Sequence, residues 1–351
     1  MAGAFPGSRG IRAKGNKENS SLNLKPSTGD RRFPSSRPDF GRQLLRWFDR
    51  NKRDLPWRRD RDPYHVWLSE IMLQQTRVGA VVEHYNRFLE RFPTVETLAA
   101  ARLSSVLAAW SGLGYYRRAH SLHAAARELV DRCQGRFPDT RAELEALPGV
   151  GRYSSAAIAS IAFGEAVAAV DGNVERVLQR ILGKSIKGNP VWLAAAELLS
   201  SQRPGDFNQA MMELGATLCL PREPKCTMCP VQRMCRTQGE LPRLAPARRR
   251  AKQAVEYALD SRRDSVFLIR RPRHTKLMPG MWELPELPSD KRSAGPWFTL
   301  RHSITSTDYL VRVAWVQLPP QTRGSWFKAS RVGQLPLTGL ARKILRHAKL
   351  I

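Results

Sequence analysis

Cys219, Cys226, Cys229 and Cys235 stand in one short run, spaced Cys-x6-Cys-x2-Cys-x5-Cys, and Cys133 stands apart from them. A thiolate supplies an anionic sulfur ligand. Four of them from so short a stretch are what a tetrahedral zinc ion or an iron–sulfur cluster needs, and spacing alone leaves both open. Pro221, Pro224 and Pro230 punctuate the run, which predicts a rigid loop rather than a helix or strand. Four unrelated buried thiols would be the ordinary alternative, and it gives no reason for the clustering.

Two carboxyl groups stand out from the acidic background. Glu70 lies in Leu68-Ser69-Glu70-Ile71-Met72-Leu73, a helix apolar on most sides, where desolvation favours the protonated form. Asp171 follows the apolar run Val167–Val170 and opens Asp171-Gly172-Asn173-Val174. There it can cap the next helix, whose N-terminal dipole keeps a carboxylate charged. One neutral and one ionised carboxyl are the pair that cleaves a glycosidic bond: the acid protonates the leaving group, and the anion stabilises an oxocarbenium-like centre. A buried Glu in a hydrogen-bond network and a plain Asp cap are the ordinary readings, and for Asp171 physics alone favours the cap.

A third feature is Leu147-Pro148-Gly149-Val150-Gly151, which precedes the helical stretch Arg152–Phe163. Glycines on either side of one apolar residue let the backbone come close to another chain. The N–H groups of Gly149, Val150 and Gly151, with the following helix N-terminus, form a cradle for an anion. Between two helices this is a helix-hairpin-helix, which grips a DNA phosphate without reading sequence. An ordinary helix–helix turn is the alternative. Leu147 and Ile158 as core anchors, in a strongly basic chain, favour the phosphate.

These groups need elements to position them. From Phe40 to about Gly215 the apolar residues recur at helical spacing, as Leu44, Leu45 and Phe48 do, with Gly, Pro or Asp breaks between segments. Beyond residue 252 the period changes to short β-branched alternating runs, Ala254–Leu259, Val266–Arg270 and Tyr309–Leu318, with a helical tail at Leu340–Leu350. The expected organisation is a basic, disordered arm at 1–38, a helical domain at 39–236 closed by the cysteine loop, a linker at 237–252, and a small α+β domain at 253–351. The 351 residues carry 58 Lys and Arg against 31 Asp and Glu, a formal net charge of +27. That excess predicts a polyanionic partner, nucleic acid being the commonest. No apolar run is long enough to span a bilayer, so no membrane partner is expected. No disulfide framework is suggested, which places the chain in a reducing compartment.

Leu68–Thr76 (LSEIMLQQT), Gly112–Tyr116 (GLGYY), Leu147–Gly151, Val170–Val174 (VDGNV), Phe207–Gly215 (FNQAMMELG) and the cysteine loop occur in that order. Together they resemble the MutY family of adenine DNA glycosylases, within the helix-hairpin-helix superfamily that includes endonuclease III. The resemblance runs from about Phe40 to Cys235. It implies a mainly α helix-hairpin-helix glycosylase domain with an iron–sulfur loop, a [4Fe-4S] cluster on the four cysteines, and a small α+β Nudix-like C-terminal domain. It implies that Glu70 protonates N7 of adenine and that Asp171 stabilises the cationic sugar, directly or through a transient covalent bond. Tyr153 and Asn173 would orient that carboxylate and the water. Trp57, Arg58 and Gln209 match positions lining the adenine pocket, and Gln75 and Tyr115 match residues that fill or wedge the base stack. Tyr115 beside two glycines reads as an exposed wedge rather than a core aromatic. In the cysteine loop Arg222, Lys225 and Arg233 could touch phosphate or simply be solvated.

Within that superfamily, enzymes that also cut the strand place a Lys two residues after the second hairpin glycine. Tyr153 stands there and has no amine for a Schiff base, which implies a monofunctional glycosylase. Phe267–Arg271 and Gly280–Pro285 resemble the opening of the Nudix-like domain. Nothing between Pro285 and Trp297 supplies the acidic Mg²⁺-binding helix of a true Nudix hydrolase. The family's 8-oxoguanine contact loop usually reads Phe-Ser-His. Here Ile304-Thr305-Ser306 keeps a hydroxyl at Thr305 but lacks the aromatic and imidazole neighbours, and His302 reads as structural. The expected enzyme excises adenine opposite 8-oxoguanine or guanine in double-stranded DNA, as a monomer. It would work in the cytoplasm at the nucleoid in a bacterium, or in a nucleus or organelle otherwise. The rivals are an endonuclease III-like glycosylase and lyase acting on oxidised pyrimidines, and a non-catalytic DNA-binding module.

Overall fold

The computed structural model describes residues 37–241, 250–272, 274–275, 277–287, 297–304 and 307–351. Most of the expected arm, positions 242–249 of the expected linker, and Thr305 lie outside the described residues.

Helix α1 (Arg37–Asn51) buries Phe40, Leu44, Leu45 and Phe48 on one stripe. Helix α2 (Pro63–Leu73) begins at Asp62, whose side chain accepts from the Tyr64 N–H at 2.8 Å, with proline in its first turn. It is buried nearly all round, with Tyr64, Val66, Trp67, Leu68, Ile71 and Met72 in the core. That burial carries Glu70 into an apolar setting. Helices α3 (Val78–Arg91), α4 (Val95–Ala100), α5 (Leu103–Ala109) and α6 (Arg117–Cys133) pack around this core. Helix α7 (Arg141–Leu144) leads to the glycine hairpin and α8 (Arg152–Ile158), which continues as a π turn over Ala159–Phe163.

A second core joins α1 to α9 (Gly172–Leu182), α10 (Asn189–Leu198) and α11 (Pro204–Thr217). The cysteine loop docks on this core through Leu218, Val231 and Met234. It contains two single 3₁₀ turns, Cys226–Met228 and Gln232–Met234, and returns to α9 where the Arg236 N–H meets the Ile181 carbonyl at 3.1 Å.

The C-terminal part holds β1 (Ala251–Leu259), β2 (Ser261–Arg262), β3 (Ser265–Arg270), β4 (Trp282–Glu283), β5 (Glu286–Leu287), β6 (Trp297–Ile304), β7 (Thr307–Trp315) and β8 (Ser325–Lys328). One sheet has the order β5-β1-β7-β6. In it β1 runs parallel to β7 from Ala251↔Thr307 to Leu259↔Trp315, and β6 pairs antiparallel with β7. The other joins β2, β3 and β4, with β8 also on β3. Helices α12 (Ala329–Val332) and α13 (Gly339–His347) complete it, and Leu340, Ala341, Ile344 and Leu345 of α13 are buried in its core.

The described residues belong to one compact unit. The helical and sheet parts meet where Met281 joins the first helical core. Beside it, the Ser111 and Tyr116 hydroxyls both donate to the Leu337 carbonyl, at 3.2 and 2.9 Å. No helix among the described residues is long and apolar enough to cross a membrane.

One residue differs from expectation. Ile304, read from sequence as the first residue of a contact loop, ends a strand, because Trp297–Ile304 alternates exposed and half-buried positions along β7.

Gly215 is where α11 crosses the start of α9. A Cβ there would lie 2.6 Å from the Asn173 Cβ and 3.1 Å from the Asn173 carbonyl oxygen. Gly215→Ala must push the two helices apart, a change expected to destabilise the fold by about 1–3 kcal/mol. Urea unfolding should show this as a lower midpoint at unchanged slope, and an unchanged midpoint would mean the helices yield freely.

Candidate active site and thiol loop

A cleft of about 810 Å³ opens between the two helical cores. Trp57, Arg58, Glu70, Gln75, Gly149, Gly151, Tyr153, Asp171, Asn173 and Gln209, all singled out from the sequence, line it together. Val150 is buried at the hairpin tip, and Tyr115 is 49% exposed and lies outside the cleft lining.

Glu70 is 6% exposed, and its Oε2 accepts from the Tyr153 hydroxyl at 2.7 Å. Burial pushes its pKa up to about 7. The Tyr153 hydrogen bond opposes that, the negative charge of Asp171 adds to it, and Arg58 opposes it weakly. Tyr153 in turn is held well above its usual range by burial and by the two carboxyls, so its hydroxyl remains a donor.

Asp171 is both a helix cap and a cleft residue, so the two readings of it coincide. Its Oδ1 accepts from the Asn173 and Val174 N–H groups at 2.9 and 2.7 Å, and its Oδ2 from the Asn173 side chain at 2.8 Å. The cap fixes the carboxylate in place because α9 must begin there.

The opposite wall is built on a carboxylate that sequence reasoning passed over. Glu213 is buried and bonds Arg53 at 2.6 and 2.8 Å and Arg58 at 2.9 Å. The two guanidiniums overcome the effect of burial and hold its carboxyl below the usual range. Arg58 is thereby oriented and donates to Gln209 Oε1 at 3.1 Å. Trp57 packs edge-on to Tyr85, with ring centroids 5.4 Å apart. Glu213 lies four residues after Gln209 on α11, so helical spacing puts both on one face.

The hairpin is closed by the Val150 N–H bonding the Leu147 carbonyl at 3.1 Å. Gly149 has φ +77°, and a Cβ there would lie 2.3 Å from Ser121 Cβ, so space and backbone both demand glycine.

The four thiols of Cys219, Cys226, Cys229 and Cys235 line one small cavity with Arg180 and Leu218. Among the described residues no three His, Cys, Asp or Glu side chains converge on a single metal-ion position. Four thiols around one cavity are a donor set that either a zinc ion or an iron–sulfur cluster could use. The buried Arg180 donates to Cys219 Sγ at 3.2 Å and to the Leu220 and Pro221 carbonyls, a contact that would tune a group held by that sulfur. Burial pushes the Cys229 thiol up to about 11, with the neighbouring thiolates adding to it. Arg176 bridges loop and cleft: it donates to the Cys219 carbonyl at 2.8 Å, to Asn173 Oδ1 at 2.9 Å and to the Gly215 carbonyl at 2.7 Å.

Comparison with known proteins agrees with this geometry. Residues 68–190 match the model of the HhH-GPD superfamily base excision DNA repair proteins. The rat adenine DNA glycosylase is 49% identical over 212 residues, 56% of this chain and 41% of that protein, so the chain spans about two fifths of the relative's length. The solved structure of a thermostable thymine-DNA glycosylase is 33% identical with a TM-score of 0.55, over 57% of this chain and 96% of that one. An endonuclease III–DNA complex, 23% identical with a TM-score of 0.51 over 58% of this chain and 97% of that one, shares the fold. With the helical cores, the glycine hairpin and the thiol loop in place, the chain belongs to the HhH-GPD superfamily of base excision DNA repair proteins and is similar to its adenine DNA glycosylases.

Proposed function

We propose that this protein removes adenine from double-stranded DNA where it stands opposite 8-oxoguanine or guanine, hydrolysing the N-glycosidic bond and leaving an abasic site. The observation that carries the reading is the shared cleft. A dry Glu70 bonded to Tyr153 and a three-times-bonded Asp171 line one space large enough for a base displaced from the stack.

Glu70 carries the proton that reaches N7 of the base. Tyr153 occupies Oε2, which leaves Oε1 for that proton. The electron pair of the breaking C1′–N9 bond leaves with the adenine, and Asp171 stabilises the positive sugar until water adds and releases a proton. Trp57, Arg58 and Gln209 form the adenine wall, and Gly149, Val150 and Gly151 hold a backbone phosphate. Gln75 and Tyr115 enter the opened stack. Thr305 would contribute to the base opposite. Tyr153 in place of a lysine supports hydrolysis without strand scission. The four cysteines would hold a [4Fe-4S] cluster, which supplies a fixed charge and a rigid centre for the loop. The protein is read as acting as a monomer, from the cytoplasm at the nucleoid in a bacterium or a nucleus or organelle otherwise.

Single-turnover base release should be seen with adenine opposite 8-oxoguanine or guanine and not opposite thymine. Glu70→Gln and Asp171→Asn should each lower it at least about a hundredfold, a general acid being worth roughly 10²–10⁴. Release of oxidised pyrimidine instead of adenine would overturn the substrate assignment.

The pH profile follows from Glu70. An acid donates only while protonated, so with a pKa of about 7 base release should be flat below pH 7 and fall about tenfold per unit above it. The same shift costs stability. The folded state holds this proton up to about pH 7 and the unfolded chain only to its ordinary 4.5, so stability falls as pH rises between them. Glu70→Gln should therefore leave stability unchanged near pH 4 and raise it by roughly 3–4 kcal/mol at pH 8, at about 1.4 kcal/mol per pKa unit. Denaturant titrations at the two pH values check this, and equal gains at both would show that Glu70 is not held protonated.

A further inference from the structure

Arg118 is buried, stands in the first turn of α6, and forms no ion pair among the described residues. A cation at a helix N-terminus opposes that helix's dipole, so something else must hold it there. Its Nη1 donates to the carbonyls of Ile71 and Met72 at 2.8 Å and of Gln74 at 2.6 Å, the open acceptors at the end of α2. Its Nη2 donates to Thr76 Oγ1 at 3.0 Å and to the Leu113 and Gly114 carbonyls at 3.2 Å. One guanidinium therefore ties two loops that are far apart in sequence.

Each loop ends in a non-glycine residue with left-handed backbone, Gln75 at φ 56° and Tyr115 at φ 47°. Such residues persist only where the surroundings over-determine them. Gln75 lines the cleft, and the exposed Tyr115 ring lies 5.5 Å from the Arg118 guanidinium. The buried Trp110 packs beneath, 5.3 Å from the same cation, and its ring N–H bonds the Gly114 carbonyl at 3.2 Å. Across the second loop, Tyr116 and Ser111 are fixed to Leu337.

We propose that Arg118 is a positioning residue: it presets the loops bearing Gln75 and Tyr115 in the relative placement with which they open a DNA stack. This deepens the function proposed above and rests on it. A lysine keeps the charge but cannot span six acceptors in a planar fan.

The test uses the full chain and a duplex with a non-cleavable 2′-fluoro-adenosine opposite 8-oxoguanine and 2-aminopurine beside it. Fluorescence at saturating protein reports unstacking, separately from affinity. Arg118→Lys should give less than about a third of the wild-type rise, and base release on the cleavable duplex should slow roughly tenfold or more, as for a loop misplaced by about an ångström. In a background of Gln75→Ala and Tyr115→Ala, Arg118→Lys should slow release by less than about twofold, because the loops it positions no longer act. Thr76→Val removes one acceptor and leaves the guanidinium in place. It should lower the fluorescence rise by a smaller margin, and it decides the matter should the lysine variant not fold. A full rise in the variants, or a loss in the double background as large as in the wild type, overturns the proposal alone. No rise for the wild-type protein on any duplex overturns the proposed function and this inference with it.

Discussion

The hydrogen bond between Tyr153 and Glu70 is the interaction on which the rest of the site depends. A carboxyl group near a second carboxylate keeps its proton at neutral pH only where water is excluded. Helix α2 supplies that exclusion, since it is apolar on nearly every side and buried along most of its length. The tyrosine offers a partner that bonds either protonation state, so Glu70 is neither orphaned when neutral nor strongly stabilised when charged. A lysine at position 153 would favour the anion and abolish the acid. The residue that denies this chain a Schiff-base amine is also the one that allows Glu70 to be an acid.

A second constraint is the number of buried guanidiniums. Arg118 and Arg180 are each satisfied chiefly by backbone carbonyls at helix ends and loops, and half-buried Arg176 likewise, rather than by carboxylates. Glu213 takes a carboxylate's part between Arg53 and Arg58. A buried ion is costly unless its donors are met; Arg118 leaves its Nε without a partner, but through their other donors these arginines fix the path of the chain around them. Arg176 fixes the start of α9 against the cysteine loop, and Arg118 fixes the end of α2 against the segment at 113–114. The cleft is thereby held from both ends of its helices before any ligand arrives, which is what electrostatic preorganisation requires.

The fold was legible in the sequence where periodicity and punctuation coincide. The stripe Leu44, Leu45 and Phe48 lies where helical spacing puts it, and the prolines of the cysteine run limit it to single 3₁₀ turns. Glu70 and Asp171 could be read because their neighbours are apolar, and the structure brings both into one cleft. Strand β6 was missed because Trp297–Ile304 has a weak alternation that only its pairing with β7 makes plain. Arg118, Arg176 and Arg180 could not have been found, since among 58 basic residues nothing local marks the few that face inward, whereas Glu213 was marked by its spacing from Gln209. Burial of a charge is decided by which backbone carbonyls converge on it, and those come from segments tens of residues away. The resemblance to a family carried the remaining positions, such as Gln209 and Trp57, which bear no chemical mark of their own.

The contact between the two parts of the molecule falls on the segment that carries Tyr115. Ser111 and Tyr116 bracket the loop that carries Tyr115, and both bond the Leu337 carbonyl. Arg342 adds a 2.9 Å bond to the Ser111 hydroxyl. This carbonyl belongs to the turn before α13, and Trp282 pins that turn from the other side by two backbone bonds, with Pro336 and Thr338. An exposed aromatic on a left-handed backbone would relax if its flanks were free, because nothing local repays the strain. Here one flank is tied to the end of α2 through Arg118 and the other to the sheet part through Tyr116. Any shift of the C-terminal part against the helices must therefore move or release the loop bearing Tyr115, and through Arg118 the end of α2, three residues beyond Glu70.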